Sequence, residues 1–227
     1  GGTPAQQAAW LPGIAAGTTT ATVAHAEADG RWDADGISAT ARPDGGDVVL
    51  AGTKSFVVDG HTADLLLVAA RRPGSRGTEG VGLFIVPAST PGVERRALGT
   101  MDQTRRLAEV QLNDVRLPKE AALGSDAAGW ATLATTLHLA TVALAAEQVG
   151  GAERCLELAV AYAKERVQFG RPIGSFQAIK HKCADMLMRV EAARSASYYA
   201  ACAADERGPE LAVAASLAKA YCSDAYF

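Results

Sequence analysis

The segment Arg166-Val-Gln-Phe-Gly-Arg-Pro-Ile-Gly-Ser-Phe-Gln177 separates two long helical patterns and is the most informative stretch of this chain. Arg166 is predicted at a helix C-terminus, where the dipole favours a cation, and its planar guanidinium suits bidentate contact with a pyrophosphate. Phe169 can cover a purine or ribose, and Gln177, at the next helix start, can donate and accept hydrogen bonds toward an adenosine. The same residue types also describe a capped helix, a rigid Gly-Pro turn and a packed phenylalanine, and on their own they favour that plainer interpretation.

The sequence on both sides of this segment has the period of an α-helix. A first helix is predicted from about residue 125 to near Arg166, with one stripe made of Trp130, Leu133, Leu137, Thr141, Leu144 and Gln148. A second helix begins near Ser175 or Phe176 and continues to about Asp205, and a third begins at Pro209, a favoured first helical position. Abundant alanine permits close helix approach, so residues 123–227 are predicted to form an antiparallel α-helical bundle.

The residues before this bundle alternate with a period of two and are rich in glycine and proline turns. Strands are predicted at Thr18–Ala26, Asp47–Ala51, Thr53–Asp59, Asp64–Ala70, Val81–Val86 and Ala108–Leu112. Short strands at close spacing favour an antiparallel, barrel-like β domain, which we place at residues 18–122. The fold class is therefore predicted to be α+β, with an antiparallel β-barrel-like domain followed by the helical bundle.

The bulk composition excludes several classes of protein. The net charge of -3 without a basic block argues against a nucleic-acid partner. Four cysteines without CxxC spacing argue against a zinc site or a disulfide framework. The apolar run Leu139–Ala146 is too short to span a bilayer, so we expect no membrane association and a cytoplasmic location. The chain begins without methionine and stops at Phe227 within a helical pattern, so it is expected to continue beyond both ends.

The order and spacing of the residues from Arg166 to Gln177 are more specific than their types alone. The pattern R-x-x-F-G-x-P-I-x-x-x-Q, from Arg166 to Gln177, resembles the start of the C-terminal helical domain of acyl-CoA dehydrogenases. Upstream, Gly52-Thr-Lys-Ser-Phe-Val-Val-Asp-Gly60 resembles the G-x-K-x-(W/F)-I-T-N-G strand of that family. Leu11-Pro12-Gly13 is similar to its helix-to-sheet junction, which implies that residues 1–17 end an N-terminal helical domain.

The resemblance implies FAD as the cofactor, held in extended form between the β domain and the helical domain across a subunit contact. Arg166 is then expected to face the pyrophosphate of an FAD bound mainly by a neighbouring subunit, with Phe169 and Gln177 lining the adenosine end. On the β side, Phe56 takes the place of the aromatic residue that lies against the flavin ring.

Two positions depart from the pattern of the family. Val58 stands where a threonine usually hydrogen-bonds near the flavin N5. The T-E-P-x-x-G-S-D segment is replaced by residues 26–33, so that Ala26 stands for its threonine. Backbone N–H groups, or the imidazole of His25, are the expected substitutes for these two hydroxyl donors.

The catalytic base is not assigned to any residue of this chain. In most members a glutamate located beyond the equivalent of Phe227 removes the α-proton of the acyl group. In a minority it lies on the first bundle helix, at about Ala140 here, and alanine cannot serve. His138 is interpreted as structural and Glu147 as an interhelix partner, and no metal ligand is predicted.

The resemblance therefore implies a subunit of a flavin-dependent acyl-CoA dehydrogenase that desaturates an acyl-CoA thioester between its α and β carbons. The expected partners are an acyl-CoA substrate, electron-transfer flavoprotein as electron acceptor, and further subunits of a homo- or hetero-tetramer. Two alternatives stay open. One is a catalytically inactive structural pseudo-subunit of such a complex, and the other is an acyl-CoA oxidase or flavin monooxygenase of the same fold.

Overall fold

The computed structural model describes residues 1–124 and 128–227. The chain divides into two compact units, residues 1–133 and 134–227, and each is described by itself. The domain limits of 1–17, 18–122 and 123–227 stay predictions, and residues 125–127, next to the second limit, lie outside the described part of the chain.

The first unit opens with helix α1 (Pro4–Ala15), which was not predicted as a separate element. Thr3 and Gln6 form a capping box: the Thr3 hydroxyl accepts from the Gln6 N–H at 3.2 Å, and the Gln6 amide oxygen accepts from the Thr3 N–H at 2.9 Å. The Gln6 amide also donates to the carbonyls of Glu120 and Ala122, at 2.8 and 2.9 Å. These bonds tie the helix to the segment that follows the last strand of the unit.

The strands of the first unit form one sheet. Their bounds are β1 (Ala21–Ala24), β2 (Thr40–Asp44), β3 (Asp47–Val58), β4 (Leu65–Arg71), β5 (Val81–Pro87), β6 (Val93–Ala97) and β7 (Leu107–Pro118). The strand order is β1-β4-β2-β3-β7-β6, and β5 pairs with β4. Side chains that alternate along the strands pack on one face of the sheet. Its core includes Ala24, Ala39, Leu50, Val57, Leu66, Val68, Phe84, Val86, Val110, Leu112, Val115 and Leu117.

The α+β class is confirmed, and the predicted antiparallel pairing is confirmed for part of the sheet only. Strand β1 runs parallel to β4, with Ala21 opposite Leu65, and β2 meets β4 in parallel at Thr40 and Arg71. The other pairs are antiparallel. The β2–β3 hairpin intervenes in sequence between β1 and β4, and such a crossover allows two strands to run in the same direction.

Several strand predictions need correction. The strand expected at Thr18–Ala26 is β1, which covers Ala21–Ala24. The two strands expected at Asp47–Ala51 and Thr53–Asp59 are one strand, β3, whose register shifts between Leu50 and Gly52 and again between Lys54 and Val57. The strand continues through Gly52, whose φ is +140°. A side chain would not fit there, because an added Cβ would lie 2.8 Å from Ala39.

Strands β2 and β6 were missed because neither shows apolar alternation. Pro43 in β2 is tolerated because β2 meets β4 at the Thr40↔Arg71 pair, before the proline. Strand β6 carries Glu94, Arg95 and Arg96 on an exposed edge, where charges discourage pairing with another chain.

The second unit consists of helices joined by a small hairpin. Helix α2 (Gly129–Glu165) leads to strands β8 (Val167–Gln168) and β9 (Arg171–Pro172), then to α3 (Gln177–Glu206) and α4 (Leu211–Tyr226). These bounds confirm the three predicted helices. The Tyr199 hydroxyl, late in α3, donates to Glu210 at the start of α4, whereas Cys222, late in α4, lies 3.4 Å from the Ala193 carbonyl. Helices α3 and α4 are therefore antiparallel.

Small residues form the core of the second unit. Val142, Ala145 and Val149 of α2 share this core with Ala193, Ala200, Ala203, Leu211, Ala214, Ala215, Ala218 and Cys222. Of the helices in the described part of the chain, α2 is the one long and apolar enough to cross a membrane by length and composition alone. That is weak evidence, because core helices of soluble proteins pass the same test.

Candidate functional site

Four of the predicted site residues lie together on the first unit, at the end of β1 and the end of β3. The Ser55 N–H donates to the carbonyl of Ala26 at 2.9 Å, which joins the segment after β1 to β3. The Thr22 hydroxyl donates to the carbonyl of Val58 at 2.7 Å. The structure therefore brings His25 and Ala26 next to Phe56 and Val58, and we call these four residues the β-face site.

Phe56 reaches this site through a distortion of its strand. Its φ is +58°, a left-handed conformation that is costly for a residue with a bulky side chain. The distortion coincides with the register shift between Lys54 and Val57, a bulge that changes which way a side chain points. Val57 is buried, whereas the Phe56 ring is 47% exposed and Val58 is 45% exposed. Both exposed side chains are thus available to a planar ligand.

His25 provides an unsatisfied polar atom at the β-face site. Its ring packs edge-on against Trp32, with centroids 4.7 Å apart. Its Nε2 is buried and has no hydrogen-bond partner among residues 1–124 and 128–227. Burial lowers the pKa of this imidazole from its ordinary value, and the nearby Lys54 cation lowers it further. A neutral imidazole with a free nitrogen is a donor or acceptor for a bound ligand.

A buried ion pair beneath the site was missed by the sequence analysis. Lys54 is fully buried, and its ammonium lies 2.7 Å from the carboxylate of Glu27. Burial would raise the pKa of Glu27, but hydrogen bonds from Ala39, Lys54 and Ser38 outweigh it and lower that pKa. Burial lowers the pKa of Lys54, and the Glu27 carboxylate opposes that change. No local pattern indicated that this lysine is buried, because it stands between Thr53 and Ser55.

The other three predicted site residues lie in the second unit, around the hairpin β8–β9. Phe169 and Gly170 form the tip, with φ values of +54° and +76°, and positive φ at both central residues is typical of a type I′ turn. Asparagine or glycine usually fills the first of these positions, so Phe169 is strained there. Its ring is 92% exposed. A strained aromatic residue held in solvent indicates a ligand-binding role more than a packing role.

Arg166 and Gln177 flank this hairpin. The Ile173 N–H donates to the carbonyl of Arg166 at 2.8 Å, which closes the base of the hairpin. Arg166 follows the last residue of α2 and Gln177 is the first residue of α3, as predicted, and both side chains are exposed. The first turn of α3 directs N–H groups outward, a feature that favours anions.

Two further residues extend this surface and were not singled out from the sequence. The guanidinium of Arg171 lies 4.1 Å from the centroid of the Phe176 ring, a cation–π contact. Phe176 in turn meets Phe169 edge to face. Arg166, Phe169, Arg171, Phe176 and Gln177 thus form a cationic and aromatic surface, which we call the hairpin site. Such a surface suits a nucleotide diphosphate, because guanidinium groups bind phosphate and aromatic rings stack on bases.

The predicted site residues therefore form two sets, one in each unit. Ala140 is exposed on α2 and offers no proton acceptor. Within the described ranges, histidine, cysteine and acidic side chains do not gather into a group that could hold a metal ion.

The chain matches one family over most of its length. Residues 22–115 match the middle domain of acyl-CoA dehydrogenase, and residues 127–227 match the C-terminal domain. The short-chain specific acyl-CoA dehydrogenase of Megasphaera elsdenii is 36% identical over 228 residues, which cover 98% of this chain and 59% of that protein. A subunit of the caffeyl-CoA reductase-Etf complex of Acetobacterium woodii is 33% identical, over 98% of this chain and 59% of the relative.

Solved structures agree with this match. The structure of butyryl-CoA dehydrogenase from Megasphaera elsdenii superposes with a TM-score of 0.92 at 36% identity, covering 98% of this chain and 59% of that one. The chain thus spans less than two thirds of the length of these relatives.

Proposed function

The chain belongs to the acyl-CoA dehydrogenase family, and on that premise we propose that it is a subunit of an FAD-dependent enzyme that desaturates acyl-CoA thioesters between the α and β carbons. The observation that carries this proposal is the hairpin site. Its sequence has the R-x-x-F-G-x-P-I-x-x-x-Q pattern, and its two arginines and the Phe169 ring are exposed.

The residues of the hairpin site fit the diphosphate and adenosine of FAD. Arg166 binds the pyrophosphate of the cofactor through its fork of N–H donors. Phe169 covers the adenosine, and the Gln177 amide donates and accepts at the same end. As the family resemblance implies, the FAD gripped here is held mainly by a neighbouring subunit.

The β-face site fits the flavin end in part. The exposed Phe56 ring offers a stacking surface, and the buried, unpaired Nε2 of His25 marks a place where a ligand atom would complete a hydrogen bond. Ala26 and Val58 lack the two hydroxyls that the family uses, so this face has fewer side-chain donors. Bound FAD supplies the acceptor for the hydride that leaves the substrate Cβ. In this chain the neutral imidazole and the backbone N–H groups orient it.

The α-proton is removed by a carboxylate that we do not place on this chain. A glutamate in a closed apolar site has a raised pKa, which suits a base acting on a thioester whose carbonyl is polarised. Electron-transfer flavoprotein would be the electron acceptor of the assembled enzyme. We propose a homo- or hetero-tetramer in the cytoplasm as the working assembly. One subunit type of a heteromeric enzyme could contribute its hairpin site alone.

The test is made on the full-length protein, alone and with a co-expressed second subunit. Visible flavin absorbance is expected, and anaerobic addition of butyryl-CoA is expected to bleach it. Protein that is colourless under both conditions would refute the proposal. Flavin that is bleached anaerobically by reduced nicotinamide and recoloured by oxygen, and is not bleached by acyl-CoA, would instead identify a monooxygenase.

The missing hydroxyls at Ala26 and Val58 favour one second candidate, a structural pseudo-subunit. It predicts that the protein forms its oligomer without flavin at the β-face site. Flavin stoichiometry per subunit in the purified assembly separates the two functions.

A further inference from the structure

The ion pair between Lys54 and Glu27 lies under the β-face site and is not needed for any step described above. Lys54 is fully buried, and its ammonium donates to the Glu27 carboxylate at 2.7 Å and to the carbonyl of His25 at 3.2 Å. Buried ion pairs are weak stabilisers, because desolvation offsets most of their attraction. Stabilisation of the fold is thus a poor reason for this pair.

The carboxylate of Glu27 is fully engaged by other groups. It accepts from the N–H groups of Ser38 and Ala39, each at 2.9 Å, and from the Ser38 hydroxyl. Glu27 therefore fastens the segment that enters β2 to the segment that leaves β1.

The ammonium of Lys54 fastens these segments to β3. Next to its bond to the His25 carbonyl, the Ser55 N–H donates to the carbonyl of the following residue, Ala26. Phe56, with its left-handed φ, is the next residue. One buried pair thus holds the backbone on both sides of the β-face site.

We propose that Lys54 and Glu27 are positioning residues that set the backbone of His25 and Ala26 against the Phe56 bulge for flavin binding. The inference rests on the proposed function and adds to it the residues that shape the flavin face. Ala26 and Val58 provide no hydroxyl. Polar contacts to a flavin therefore depend on backbone groups and on His25, whose positions this pair determines.

The test compares Lys54→Met with Val115→Ala in the full-length protein. Val115 is fully buried in the same sheet and packs in its apolar core, so its truncation lowers stability without touching the ion pair. Amide hydrogen exchange of Ser55 reports the bond to Ala26, and the FAD dissociation constant and visible spectrum report the flavin face. In Lys54→Met, Ser55 exchange is expected to accelerate and the FAD dissociation constant to rise roughly tenfold beyond the Val115→Ala values.

Glu27→Gln and Glu27→Ala form a second pair, for the case that Lys54→Met does not fold. A glutamine keeps an acceptor toward Lys54 and the N–H groups of Ser38 and Ala39, and its NH₂ can donate to the Ser38 hydroxyl. Glu27→Gln is therefore expected to retain more FAD affinity and more Ser55 protection than Glu27→Ala.

Three results would overturn the inference. The first is Ser55 exchange in Lys54→Met and Glu27→Ala that is no faster than in Val115→Ala. The second is an unchanged FAD dissociation constant after Ser55 has been freed. The third is equal losses in Glu27→Gln and Glu27→Ala. If the wild-type protein itself takes up no FAD, the proposed function is refuted. That result differs from the three above because it is seen without any change at Lys54 or Glu27.

Discussion

The rings of Phe169 and Phe176 meet edge to face, with centroids 6.1 Å apart and planes at 85°. Phe169 is exposed at the hairpin tip, while Phe176 precedes α3 and carries Arg171 over its face. This contact joins the tip of the hairpin to the helix start, so that both belong to one surface.

Replacement of Phe169 by glycine is expected to relieve backbone strain at the hairpin tip and to weaken FAD binding. The residue has φ of +54°, so glycine relieves a cost of about 1 kcal/mol and should leave the unfolding free energy equal or higher. The same change removes the ring that we propose to cover the adenosine, so FAD affinity should fall. Urea unfolding and FAD titration check both expectations. A loss of stability, or unchanged FAD affinity, would contradict the role given to this ring.

Val58→Thr restores the hydroxyl that the family carries near the flavin N5. Val58 is 45% exposed, so a hydroxyl is tolerated there, and one new hydrogen bond should improve FAD binding by about 1 kcal/mol. Val57→Thr is the matched control, because Val57 is 2% exposed and its new hydroxyl would be buried. That control should lower stability without improving affinity. Tighter FAD binding in Val57→Thr, or none in Val58→Thr, would show that the hydroxyl is not directed at the flavin.

Gly52→Ala should destabilise the first unit by about 2 kcal/mol or more. The backbone has φ of +140°, and an added Cβ would lie 2.8 Å from the Cα and Cβ of Ala39. Gly46→Ala is the control, since an added Cβ there meets no described atom within 4 Å. Chemical denaturation measures both variants. Equal stability of the two would rule out the close approach between β3 and the start of β2.

The stability of the first unit should depend on the protonation of His25. Burial and Lys54 hold its pKa below the ordinary value of 6.5, so the folded state keeps the imidazole neutral. The unfolded chain binds the proton at higher pH, and this contribution to stability is complete above about pH 6.5 and is lost as the pH falls below it. Glu27 and Lys54 stay paired nearby.

The comparison is between the wild type and His25→Leu, which cannot titrate. As the pH falls from about 7.5 to about 5, the unfolding free energy of the wild type should decrease relative to that of His25→Leu. NMR titration of the imidazole should give a midpoint below 6.5. A constant difference, together with a midpoint at or above that value, would show that the imidazole is not held neutral.

Much of the fold could be predicted because local patterns agree with tertiary structure. The helices α2, α3 and α4 have long apolar stripes and clear stops at Gly170-Arg171-Pro172 and Gly208-Pro209, and their bounds were close to the observed ones. Strands β4 and β5 were also found, since both are continuous apolar runs. The parallel pairing of β1 with β4 was not predicted, because the relative direction of two strands depends on the path of the chain between them.

The roles of the candidate site residues stay predictions, and the contacts that hold these residues in place were not predicted. The resemblance of the motif from Arg166 to Gln177 pointed to residues of the hairpin site. The type I′ turn at Phe169 was unexpected, because phenylalanine disfavours positive φ. The pairing of Lys54 with Glu27 joins residues 27 positions apart in sequence, a separation that no local period records.

The proposed contact of Arg166 with the FAD diphosphate is tested most directly by measuring FAD content in Arg166→Ala, made in the full-length protein with its natural oligomer intact. Arg154→Ala is the control, because Arg154 is also an exposed arginine near this end of α2 and pairs with Glu157. FAD per subunit should fall roughly tenfold or more in Arg166→Ala and stay at the wild-type level in Arg154→Ala. Undiminished FAD content and activity in Arg166→Ala would contradict the flavoenzyme interpretation.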